Sequence, residues 1–157
     1  MRLSEKGLEL IKHFEGCQLR AYRCQAGVLT IGWGHTGDSV KEGLEITQLQ
    51  ADEIFKHDMS VFERAVNDLV TIELDQNQFD ALVSFAFNCG AGALKGSTLL
   101  RLLNKGKVIP ACAQFSRWNK VRNDKGKLVP SAGLTRRRYA EAHLFATGEN
   151  RFYAEPT

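Results

Sequence analysis

A helical pattern that stops on a carboxylate and turns at once into a hairpin constrains this chain more than any other feature. The stretch is EGCQLRAYRCQAGVLTIGWGH, from Glu15 to His35. Ser4 is a candidate N-cap, Leu8, Ile11 and Phe14 follow at helical spacing, and Gly16 is a stop signal directly after Glu15. Glu15 therefore falls in the last turn, where the helix dipole is negative. That disfavours an ionised carboxylate, predicts a proton held to higher pH, and suits a general acid. Tyr22 to Cys24, the turn residues Gln25, Ala26 and Gly27, and Val28 to Ile31 predict two short strands joined tightly. Such a hairpin can fold Cys24 and Thr30 back over Glu15. Gly32 and Gly34 bracket Trp33, so the backbone can bend or approach something closely, and His35 closes the segment. The layout is that of an active site.

The rest of the chain is mostly helical in pattern. Thr47 and Gln50 form a capping box before a long helix whose stripe is Ala51, Ile54, Phe55, Phe62, Ala65, Val66 and Leu69. Asp58 lies on that stripe where an apolar side chain is expected, and a buried carboxylate needs a partner, for which His35 is the candidate. The alternative keeps Asp58 at the stripe's wet edge, with His35 only packing or bonding backbone. Either way His35 reads as structural rather than catalytic. Asp75 and Gln78 cap a second helix that is apolar nearly all round and therefore buried, ending at Gly90 and Gly92. Ser97 starts a short helix stopped at Gly106, and Pro110 suits the first turn of another that carries Ala111, Ala113, Phe115 and Trp118. Asn119 to Ser131 reads as a polar, basic connection, and a last helix is expected from about Thr135 to Thr147, with Glu141 one turn after Arg137. Phe152 and Tyr153 are expected to dock on the core.

Within 157 residues, 43% hydrophobic and 25% charged, the chain has the composition of a folded globular domain. The net charge of +3 hides an asymmetry: Arg101 to Arg138 carries +10, leaving −7 for the remainder. A basic surface of this kind can meet nucleic acid, anionic lipid or an anionic wall polymer, or simply be solvated. No apolar run follows Met1, and the longest uncharged stretch, Ala81 to Leu94, is 14 residues. Spanning a bilayer takes roughly 20 apolar residues, so neither a signal peptide nor a membrane anchor is read here. The four cysteines, Cys17, Cys24, Cys89 and Cys112, lack close CxxC spacing and are expected as free thiols, Cys89 and Cys112 in the core. A zinc site from His13, Cys17, Cys24 and His35 is disfavoured because Gly16 breaks the helix between the first two.

The spacing of Glu15, Cys24 and Thr30, with TIGWGHTG from Thr30 to Gly37, resembles the catalytic signature of the phage lysozyme family of glycoside hydrolases. In that signature a Glu is followed after eight residues by an Asp, or in some members a Cys, and after five more by a Thr. FDALVSFAFNCGAGAL at Phe79 to Leu94, STLLRLLN at Ser97 to Asn104, QFSRW at Gln114 to Trp118 and GLTRRR at Gly133 to Arg138 are similar to the family's second lobe. The resemblance implies an α+β, mostly helical, two-lobed lysozyme-like fold. A small β-hairpin lobe, about 16–55, and a helical lobe, about 1–15 plus 56–157, would be joined by a long helix, with a cleft between them. It implies an endolysin that hydrolyses the β-1,4 bond between N-acetylmuramic acid and N-acetylglucosamine in peptidoglycan and lyses the host at phage release.

Under that reading Glu15 is the proton donor and Thr30 holds a water. Cys24 stands where a carboxylate is usual, and a thiol with a reference pKa of ~8.5 is mostly neutral at pH 7. Cys24 would have to become a thiolate, then either polarise the water or attack C1 directly. Among Arg136 to Arg138, Arg137 is the residue expected to orient Glu15 or bind substrate, with Asn88 and Phe87 as further substrate contacts. His35 and Asp58 are structural neighbours of the site. The expected enzyme is a monomer without metal or cofactor, without a nucleic-acid partner and without stable membrane insertion. It would stay in the host cytoplasm until a holin gives it access to the wall in the periplasm. A lytic transglycosylase using Glu15, and a non-enzymatic binder of wall or nucleic acid using the basic third, are the rival readings.

Overall fold

Ser4 opens the first helix, α1 (Glu5–Glu15), by accepting a hydrogen bond at its Oγ from Gly7 N, 3.4 Å away. Behind it stands the fully buried carboxylate of Asp80, which accepts from Ser4 N at 3.1 Å, from the Ser4 hydroxyl, and from Gln76 Nε2 at 2.8 Å. In the computed structural model, residues 1–24 and 26–152 are described; the expectations for Gln25 and Tyr153 lie outside them. The chain divides into two compact units, Ile11–Val61 and Met1–Leu10 with Phe62–Thr157.

The unit Ile11–Val61 holds the end of α1, β1 (Gln18–Arg23), β2 (Leu29–Gly32) and the first part of α2 (Gln48–Leu69). β1 and β2 are antiparallel, with Tyr22 opposite Thr30 and Arg23 opposite Leu29, and an irregularity between Gln18 and Tyr22. The other edge of β1 is covered: Ala21 N donates to Leu44 O at 2.9 Å and Ile46 N to Leu19 O at 2.8 Å. After β2 the chain doubles back at once, because Ile31 and His35 exchange backbone hydrogen bonds of 2.9 and 2.8 Å. That turn needs glycine at Gly32 (φ 64°) and Gly34 (φ 90°), on either side of Trp33. Trp33 Nε1 donates to Asp52 Oδ1 at 2.8 Å, and Lys12 Nζ sits 5.0 Å from the indole. Ile11, Ile31, Val40, Ala51, Phe55 and Met59 are buried here. The Thr47–Gln50 capping box forms as the sequence predicts, with hydrogen bonds of 2.8 and 3.1 Å.

The other unit is built on α3 (Gln76–Cys89), capped by Asp75 and Gln78, with Phe79 to Ala86 buried without a break. A helix apolar on every side must be covered on every side. α7 (Ala132–Thr147) lies against it, and Phe85, Phe115, Trp118 and Phe145 meet edge to face at 5.3–5.8 Å. α5 (Thr98–Asn104) starts at Ser97, whose hydroxyl accepts from Leu100 N at 3.0 Å.

Four elements differ from the sequence reading. α4 (Ala91–Lys95) forms inside the glycine-rich break, where Gly90, at φ 101°, lets the chain turn and start again. α6 (Val108–Ala113) ends before Phe115, which lies in a 3-10 turn, Phe115–Arg117. The polar connection contains a hairpin, β3 (Lys120–Arg122) against β4 (Leu128–Pro130). Its turn is held by Asn123 Oδ1, which accepts from Lys125 N and Lys127 N, both at 3.0 Å. α7 starts three residues earlier than expected because the Ser131 hydroxyl accepts from Leu134 N at 3.2 Å. No helix among the described residues is long and apolar enough to cross a membrane.

The packing at Asp80 yields a test. A Cβ on Gly7 would sit 2.7 Å from Asp80 Cγ and 2.7 Å from a Leu3 methyl. Exchanging a helical glycine for alanine normally stabilises by up to about 1 kcal/mol. Gly7→Ala is instead expected to destabilise by about 1–3 kcal/mol, because a buried, hydrogen-bonded carboxylate must move. A lowered denaturation midpoint checks this, and a raised one would show that Asp80 gives way freely.

Candidate active site

Glu15 is the last residue of α1, half-buried, and Gly16 (φ 66°) breaks the helix immediately after it. Three residues on, Gln18 opens β1 opposite Gly32 of β2. At the far end of the hairpin Cys24 N donates to Val28 O at 3.0 Å, and Gly27 N (φ 77°) donates to Cys24 O at 2.8 Å. Arg23 braces this turn, donating to Gly27 O at 2.9 Å and to Glu42 Oε1 at 2.8 Å.

The turn aims its donors at the Cys24 sulfur. The backbone N–H of Val28 and then that of Ala26 hold the thiol below its ordinary value, against a smaller opposing effect of desolvation. The lowering of the thiol, which the sequence alone leaves unexplained, thus has a physical source in the main chain. Thr30 is only 4% exposed, and its Oγ1 donates to Val28 O at 3.0 Å. A hydroxyl has one hydrogen to give. While that hydrogen is on Val28 O, Oγ1 presents only lone pairs to any water beside Cys24.

His35 and Asp58 form the pair foreseen for them, with Nδ1 and Oδ2 2.7 Å apart and side chains 23% and 25% exposed. Asp58 is therefore partly solvated rather than deeply buried. His35 is pinned twice, by this contact and by its backbone exchange with Ile31.

In the helical unit the sequence singles out Arg137 and passes over its neighbour. Arg137 and Arg138 are both buried, and both converge on Glu141, which is fully buried. Arg137 Nε lies 3.4 Å from Glu141 Oε2, Arg138 Nε lies 2.8 Å from Oε1, and Ser84 Oγ donates to Oε2 at 2.6 Å. Arg138 continues outward, donating from Nη2 to Asn88 Oδ1 at 2.6 Å and touching the Cys89 sulfur with Nη1. Phe87 packs edge to face on Phe62 with centroids 5.4 Å apart. A polar Ser84 among the apolar residues Ala81 to Phe87 was the available signal for this network. A concavity of 610 Å³ lies in the same unit between α3, α6 and α7 and includes Arg138 but none of Glu15, Cys24 or Thr30. No cluster of three or more His, Cys, Asp or Glu able to hold a metal ion occurs among the described residues.

The sequence pattern of the phage lysozymes matches residues 12–141, and the chain belongs to that family. It is a glycoside hydrolase of bacterial peptidoglycan. The chain is 44% identical over 145 residues to the endolysin of Acyrthosiphon pisum secondary endosymbiont phage 1, covering 92% of this chain and 98% of that one. Two solved structures share its fold. The endolysin of Escherichia coli O157:H7 phage FAHEc1 has a TM-score of 0.90 at 41% identity, over 96% of this chain and 97% of that one. The muramidase domain of SpmX from Asticaccaulis excentricus has a TM-score of 0.87 at 42% identity, over 93% and 98%.

Thiol chemistry tests the turn. Burial pushes the Cys89 and Cys112 thiols up, and at Cys89 this outweighs the opposing pull of Arg138. Iodoacetamide at neutral pH is therefore expected to label Cys24 ahead of Cys89 and Cys112, as read by peptide mass mapping. Equal rates at the three would remove the claim that the hairpin activates Cys24.

Proposed function

We propose that this lysozyme is an endolysin cleaving the β-1,4 bond between N-acetylmuramic acid and N-acetylglucosamine by a single displacement. Glu15 gives its proton to the glycosidic oxygen as the C1–O bond breaks. A water attacks C1 from the opposite face, and the Cys24 thiolate takes its proton. Thr30 accepts the water's second hydrogen and so aims its lone pair at C1. The observation that carries this reading is the division of donors at the hairpin: main-chain N–H groups face the sulfur while Val28 O takes the Thr30 hydrogen. A thiolate with an oriented water favours water activation over direct attack by sulfur, and inversion over retention.

Asn88 and Phe87 are assigned to holding the glycan and Arg137, buried against Glu141, to an orienting role, with His35 and Asp58 bracing the small lobe. The protein acts as a monomer, without metal or cofactor. It accumulates in the host cytoplasm and reaches the wall when a holin opens the inner membrane. Cells expressing it are accordingly expected to stay intact until chloroform is added, and then to clear.

The deciding experiment compares wild type, Glu15→Gln, Cys24→Ser and Cys24→Asp on chloroform-treated Gram-negative cells, with products analysed by mass and by NMR of the new anomeric centre. Wild type should release reducing ends of inverted configuration. Glu15→Gln and Cys24→Ser should each lose about 100-fold or more, the size of a missing acid or base, and Cys24→Asp should retain activity. Retained configuration would make Cys24 the nucleophile. A 1,6-anhydro product would make the enzyme a transglycosylase, and full activity of Glu15→Gln would remove the acid assignment.

A further inference from the structure

We infer that Asp52 is a positioning residue for the reaction: by clasping Trp33 and Lys12 together it fixes the separation of the chain segments that carry Thr30 and Glu15. The inference rests on the muralytic reading above and adds to it a control of geometry that lies outside the reacting groups.

Asp52 stands in the second turn of α2, and the residues it joins all belong to the unit Ile11–Val61. Its Oδ1 accepts from the indole Nε1 of Trp33 at 2.8 Å and from Gln48 Nε2 at 3.1 Å, and Lys12 Nζ lies 3.8 Å away. The Lys12 ammonium also stands 5.0 Å from the Trp33 ring centroid and 5.7 Å from that of Phe55, and the two rings are 6.1 Å apart. Groups from α1, α2 and the turn after β2 thus meet at one oxygen. The Trp33 N–H holds the Asp52 carboxyl below the usual carboxylate range against desolvation, with Gln48, Lys12 and Lys56 adding to it. The clasp is therefore charged at neutral pH.

Two of these groups are tied closely in the chain to a reacting residue. Lys12 precedes Glu15 by one helical turn on α1, and the sulfur of Cys17, just past Glu15, is 3.8 Å from Gln48 Nε2. Trp33 follows shortly after Thr30, inside the turn where Ile31 and His35 exchange backbone hydrogen bonds. That turn is tied to α2 a second time by His35 and Asp58, about 9 Å further along the helix. The Asp52 strut differs from this one in reaching α1 as well.

The Lys12 and Asp52 side chains are 33% and 37% exposed, and an ion pair so close to water adds little to stability. Ile11, Ile31, Ala51 and Phe55, buried beneath, hold the unit together. What the clasp controls is distance. A single displacement needs acid and water on opposite faces of C1 at a set separation, and a misplacement of about 1 Å costs on the order of 100-fold.

The test opens the clasp from either side. Trp33→Phe removes the indole N–H and keeps a ring, and Lys12→Met removes the ammonium and keeps the stem. On solubilised peptidoglycan each is expected to lower kcat about 10-fold with KM within about 2-fold of wild type, since the binding groups are untouched. The double variant should lose little more than either single one, because the clasp opens once. Asp52→Asn, which keeps an oxygen for Trp33, should fall between wild type and Asp52→Ala. Full kcat in both single variants, a loss carried by KM, or strictly additive losses overturns the positioning role. If Asp52→Ala does not fold, the cycle of Trp33 and Lys12 decides alone. Amide hydrogen exchange reads the clasp without substrate: Trp33→Phe should speed exchange at Gly16 N, which donates to Lys12 O at 3.2 Å. Unchanged exchange there overturns the clasp whether or not the enzyme is active, whereas wild type that releases no fragments from peptidoglycan would sink the muralytic reading itself.

Discussion

A carboxylate cut off from water is the constraint on which the helical unit depends. Glu141 has no solvent to stabilise its charge, so α7 must supply Arg137 and Arg138 and α3 must supply Ser84 at the same point. Removing one member of such a set typically costs about 3–5 kcal/mol, whereas the intact set contributes little net stability. Its value is geometric. Apolar packing of Phe79 to Ala86 would tolerate α7 sliding by a fraction of a turn, and the ion cluster does not. The side chains that leave this cluster toward the surface inherit its rigidity.

The hairpin unit solves a different electrostatic problem with different means. Among the described residues no buried cation stands beside Cys24; main-chain N–H groups of a tight turn hold its thiol down instead.

What could be read in the sequence was local. Glu15 before Gly16, the box of Thr47 with Gln50, and that of Asp75 with Gln78 each depend on residues within four positions of one another. β3 and β4 were missed because three-residue strands carrying Lys120 and Arg122 show no alternation, and their turn is closed by the Asn123 side chain rather than by a glycine pair. The α7 start was missed because Ser131 lies before Gly133, a residue that pattern alone takes for loop. Arg138 was passed over because its outward partners, Asn88 and Cys89, lie about fifty residues away on α3, and no spacing announces them. The depressed pKa of Cys24 was invisible for another reason: backbone amides have no letter in a sequence.

That last point bears on how such a site changes over time. Donors carried by the main chain at Ala26 and Val28 persist through every substitution at those positions except proline, which alone lacks the N–H. Main-chain amides also do not discriminate between one anion and another, so a thiolate and a carboxylate can exchange at position 24 without a compensating change nearby. The turn is in this sense a robust cradle for negative charge. Drift at the side chains of Ala26 and Val28 leaves that cradle standing, and change is confined to the residue at position 24 that it surrounds.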